Sequence, residues 1–96
     1  MLFDEFRSSL NSDHPQQTAS PLLTALWWEA KGNWAKAHEI AQEIESPDAA
    51  WVHAYLHRKE GDTDNAGYWY RRAGKPHSRA NPEAEWAEIA QHLLGA

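Results

Sequence analysis

The stretch Trp51–Gly74, WVHAYLHRKEGDTDNAGYWYRRAG, decides the fold of this 96-residue chain. Five of its nine Trp and Tyr residues fall within these 24 positions, so the stretch carries much of the side-chain mass for a core. It reads as two helices folded against each other, broken at Gly61-Asp62. Glycine takes the left-handed conformation that ends a helix, and the aspartate carboxylate accepts from the free amides that begin the next. The first helix is expected over about Pro47–Glu60 and its partner over about Thr63–Ala73, with Gly74 closing the unit.

Working outward, Ser46-Pro47 is a start signal: serine caps, and proline occupies the first turn, where no amide is needed. Ser20-Pro21 repeats it and opens a helix to about Lys31. Gly32-Asn33 then breaks the chain, and Trp34, Ala37, Ile40, Ala41 and Ile44 form one apolar face of the next helix. Asn81-Pro82 starts a last helix over about 82–94, with Trp86, Ile89, Ala90, Leu93 and Leu94 at helical spacing. At the other end, Leu2, Phe3, Phe6 and Leu10 predict a short helix over 2–10. Residues 11–20 are polar and read as a linker. The expectation is one all-α domain spanning 1–96.

Residues 29 apart match. Gly32 falls on Gly61, Asn33 on Asp62, Ala37 on Ala66 and Pro47 on Pro76, while Leu22, Ala25 and Leu26 fall on Trp51, Ala54 and Tyr55. Two copies of one helical hairpin, about 20–46 and 47–74, are therefore expected. Ala25, Trp28, Gly32, Trp34, Ala37 and Pro47 in the first copy, with Ala54, Gly61, Ala66, Tyr70, Ala73 and Pro76 in the second, resemble the tetratricopeptide repeat. The period departs from that family's 34, Thr63 stands where it has an aromatic after the turn, and His57 stands at the position of Trp28. HAYLHRKEGD followed by YWYRRAG also resembles small bacterial helical proteins without an established activity, a likeness that implies nothing about chemistry.

Composition narrows the function classes. The chain has no cysteine, which removes disulfides, thiolate metal ligands and thiol nucleophiles. MLFDEFRSSL has two acids and no basic run ahead of an apolar segment, and no 18 apolar residues are consecutive, so no membrane association is expected and the location is expected to be cytoplasmic. A net charge of −5 argues against nucleic acid, whose phosphates must be neutralised by Lys and Arg. From His57 to Arg79, however, six basic residues face three acids, which suggests an acidic partner for that region. YWYRR at 68–72 is read as core aromatics with exposed arginines rather than as a stacking platform for single strands. On a helix Trp69 and Tyr70 belong with Ala66 and Ala73 while the arginines diverge.

No catalytic motif is present: no G-x-S-x-G elbow, no phosphate-binding glycine loop. Glu83, Glu85 and Glu88 are read as acids favouring a helix N-terminus and a solvated face. The resemblance to tetratricopeptide repeats implies a concave face shared by the first helix of each hairpin, with Leu22, Leu26, Glu29, Trp51, Tyr55 and Arg58 turned toward it; this face is either open or covered by the N-terminal or C-terminal helix and turned into core. The main expectation is a non-enzymatic module without a cofactor that binds a protein or peptide through Trp51, Tyr55 and Arg58, with Lys59 and Arg72 as a charged rim; self-association is a variant. The alternative is a small ligand or divalent metal at His53 and His57, four residues apart on one helical side, with His38, Glu29, Asp62 or His92 as further ligands.

Overall fold

In the computed structural model, which describes residues 1–95, the chain is all-helical, as expected. Among the described residues are six α-helices: α1 (Phe3–Ser8), α2 (Pro21–Ala30), α3 (Trp34–Gln42), α4 (Pro47–Lys59), α5 (Thr63–Ala73) and α6 (Pro82–Leu93). The expected span of 1–96 runs one residue further, to Ala96, which lies outside the described residues. Ser9–Asn11 continues α1 as a 3-10 turn, so the N-terminal helix is shorter and tighter at its end than the 2–10 periodicity suggested.

The start signals act as cap chemistry requires. Ser20 and Ser46 accept from the amides of Leu23 and Ala49, and Asn81 accepts from Ala84. The two glycine turns, 29 residues apart, share one backbone conformation. Gly32 and Gly61 have φ of 90° and 86°, a conformation a side chain rarely adopts. At each turn the next amide reaches back to close the helix, Asn33 to Trp28 and Asp62 to His57, both at 2.9 Å. The same two residues then cap the following helix, through Lys36 N and Asn65 N.

Packing centres on α4. It lies against α2, α3, α5 and α6, and every residue from Ala49 to His57 is buried. An amphipathic helix would leave one side to water; a helix enclosed on all sides belongs to the middle of a core. Around it Ala25, Ala37, Ala54 and Ala66 are fully buried, and these small side chains let the paired helices α2–α3 and α4–α5 approach closely.

Tryptophan indoles fasten the surrounding elements. Trp27 donates to Ser9 O, holding the N-terminal segment on α2, and Trp34 donates to Leu56 O, holding α3 on α4. Trp86 donates to Leu26 O across 60 residues, and its ring stacks on Phe6 at 5.5 Å, so α6 is joined to both α2 and α1. Each of these rings therefore buries apolar area and satisfies its one donor in the same contact.

Candidate functional site

The residues expected to line a groove separate into three places. Trp51 is 4% exposed and Tyr55 2%, because α6 packs over this side of α4. An open face around Trp51 is therefore not what the fold presents. Trp51 donates its indole N–H to Glu85 Oε2 at 3.2 Å, with the Lys75 ammonium 4.1 Å from its ring centroid and His92 edge-on. Arg58 donates to Glu85 Oε1 at 2.7 Å and also to Ala80 O. Tyr70 completes the set by donating to Glu85 Oε2 at 2.6 Å.

Glu85 corrects the reading of α6. It is 1% exposed, not on a solvated face, and every donor around it comes from the α4–α5 pair. A carboxylate without water needs such partners, and Arg58 supplies the opposite charge. Burial, then the neighbouring Glu85, push the Tyr70 hydroxyl well above the usual tyrosine range, so it stays a donor. The signal for Glu85 was present: it stands four residues before Ile89, hence on the apolar side of α6. Reading the first turn of α6 by its charge alone concealed it.

Tyr55 and Lys59 lie elsewhere, at a cleft of about 760 Å³ where α1, α6 and the C-terminal ends of α2 and α4 meet. Phe3, Leu10, Trp34 and Trp86 supply apolar wall, and Arg7, Glu29, Lys59, Glu60 and Glu83 also line it. Tyr55 donates to Glu29 at 3.1 Å, and burial together with Glu29 pushes its hydroxyl far above the ordinary range. Lys59 pairs with Glu29 at 3.5 Å. Arg72 does not line this cleft; its guanidinium is 5.2 Å from the Trp69 ring centroid and donates to Tyr68 OH. The proposed rim is thus not one continuous surface.

The histidines converge. His38 of α3 and His53 of α4 bring their Nε2 atoms to 2.8 Å, one donating to the other, and His57 lies on the same side of α4, its ring 5.0 Å from that of His53. Ring nitrogens of all three lie within 4.8 Å of one another. Trp34 stacks on His38 and Trp69 on His53, the latter at 3.9 Å. His57 donates Nδ1–H to Glu60 at 2.6 Å. Burial and the neighbouring rings lower the His53 imidazole to about 4, and burial, then His57, lower His38 as well. Of the further ligands considered for His53 and His57, His38 is the one in this three-histidine cluster; Glu29 is at the cleft, and His92 bonds Asp48 at 2.9 Å.

No protein-family description, curated protein or solved structure matched the chain. No helix among the described residues is long and apolar enough to cross a membrane.

Proposed function

We propose that the chain is a non-enzymatic interaction module acting in the cytoplasm, built from two tetratricopeptide-like hairpins, α2–α3 and α4–α5, whose shared face is divided between two occupants. One is resident: α6 fills the part beside Trp51 and Arg58. The cleft at Tyr55 and Lys59 is left for a short peptide segment of a partner, and its size and aromatic wall are the observation that carries this reading. A cleft of this volume suits one or two large side chains, and aromatic contacts dominate the energetics of small peptide interfaces.

Charge selects the partner. The expectation of an acidic partner came from six basic residues between His57 and Arg79; of these, Arg58 is bonded to Glu85, Lys59 to Glu29, and Arg71, Arg72, Lys75 and Arg79 do not line the cleft. Among the described residues Glu83 forms no ion pair at the cleft, and the molecule carries −5 overall. The segment that fits presents an aromatic or aliphatic side chain next to Lys or Arg.

Fluorescence anisotropy with matched peptides tests this. An aromatic–lysine peptide should bind at least tenfold more tightly than its aromatic–glutamate counterpart, and Ala30→Arg, exposed at the cleft wall, should abolish the difference while leaving the melting temperature unchanged. Equal binding of the two peptides, or unchanged binding by Ala30→Arg, removes the cleft as the site.

A further inference from the structure

We propose that His38, His53 and His57 form a three-histidine site for a borderline divalent transition-metal ion, of which Zn²⁺ is the prime case, with Glu60 orienting His57 from outside the coordination shell. Three ring nitrogens lie within 4.8 Å of one another on two adjoining helices. Imidazole nitrogens bind Zn²⁺ at about 2.0–2.1 Å, and tetrahedral geometry then sets them roughly 3.3 Å apart. The His38–His53 pair at 2.8 Å needs to open by a few tenths of an ångström, and His57 to swing inward. Small rotations about side-chain bonds accomplish both.

Two further observations fit a ligand set better than three independent core histidines. Glu60 accepts from Nδ1 of His57 and leaves Nε2 as the free nitrogen, the carboxylate–histidine arrangement that fixes tautomer and ring direction in metal sites. The faces of His38 and His53 are held by Trp34 and Trp69, which limit ring movement while leaving the ring edges available. Three nitrogen ligands with no thiolate suit Zn²⁺, Co²⁺, Ni²⁺ or Cu²⁺ better than Mg²⁺ or Ca²⁺. The ion would join α3 to α4, with its fourth position left for water or a small anion.

A second grouping, His57, Glu60 and Asp62, shares one residue with the first and is more exposed. The test separates them. Metal-free protein is titrated with Co²⁺ as a visible stand-in for Zn²⁺. One equivalent should produce the intense absorption of tetrahedral cobalt, and Zn²⁺ should abolish it. His38→Gln should weaken binding at least tenfold, Glu60→Gln by about 10–100-fold, and Asp62→Asn, which keeps the helix cap, not at all. Independently of any variant, Zn²⁺ should move the imidazole NMR signals of His38, His53 and His57 in the wild-type protein and leave those of His14 and His77 in place. Absence of the cobalt band, or a band that survives His38→Gln unchanged and vanishes in Asp62→Asn, overturns the proposal.

Discussion

Glu85 and Arg58 meet across 27 residues, and neither charge is easily accommodated without the other. The carboxylate is enclosed and accepts three hydrogen bonds, so its removal strands a guanidinium that is four-fifths buried and frees two further donors, Trp51 and Tyr70. Breaking a buried pair from one side costs about 3–5 kcal/mol, whereas the intact pair adds much less over an apolar replacement. Glu85→Ala is therefore expected to lower stability by about 3 kcal/mol or more in urea denaturation, and a Glu85→Leu, Arg58→Met double variant to recover the part due to the stranded charge but not the part due to Trp51 and Tyr70, which still lack an acceptor. A loss below about 1 kcal/mol for Glu85→Ala would mean that water reaches the carboxylate. His53 makes a different demand. In the unfolded chain it protonates near pH 6.5, in the folded one only near 4, so between those values unfolding takes up a proton. The contribution of this residue to stability is full above pH 6.5 and is lost as pH falls toward 4. Urea midpoints of the metal-free protein at pH 7 and pH 4.5 measure it: His53→Gln should show the smaller drop of the two proteins, while equal drops would place the acid sensitivity in the carboxylates.

The helices themselves were largely legible in the sequence, because the signals that start and stop them are local. Ser-Pro, Asn-Pro, Gly-Asn and Gly-Asp pairs act within one turn, and α5 begins at Thr63 and ends at Ala73 as its Asp62 cap and Gly74 stop require. Boundaries moved most where no such pair stands, at the ends of α1 and α3. What local signals do not carry is which element covers which face. The apolar stripe of α6 declares that something is buried beneath it, yet its seat on α4 depends on Trp86 reaching Leu26 O, 60 residues away. For that reason the sequence left the face at Trp51 either open or covered, and the meeting of His38 with His53 and His57 stood in it only as one combination among several. Gly67 belongs to this scale as well. It sits inside α5 at ordinary helical φ, and an added Cβ would meet nothing closer than Arg71 Nη1 at 3.7 Å. Alanine removes the entropic cost of glycine without a clash, so Gly67→Ala should raise stability by about 0.5–1 kcal/mol. A loss in thermal denaturation would show that α5 needs glycine for a contact the monomer does not contain.

Taken whole, the molecule places one helix, α4, inside a shell of the others and uses indole N–H groups to hold the shell closed. Two features remain that burial and helix capping do not account for: a cleft at one end of α2 and α4, and three imidazoles on the side where α3 and α5 flank α4. Trp34 touches both, lining the cleft and stacking on His38, so occupancy of either is reported by the same side chain. Division of the shared face between resident α6 and an incoming peptide is the central claim, and six tryptophans provide six separate indole N–H signals with which to test it. The aromatic–lysine peptide should be titrated into ¹⁵N-labelled protein and those signals followed. Resonances of Trp34 and Trp86, at the cleft, are expected to shift in a saturable way, while Trp51, locked on Glu85 beneath α6, stays in place. Movement of Trp51 with Trp34 unaffected, or no saturable shift of Trp34 and Trp86, would contradict it.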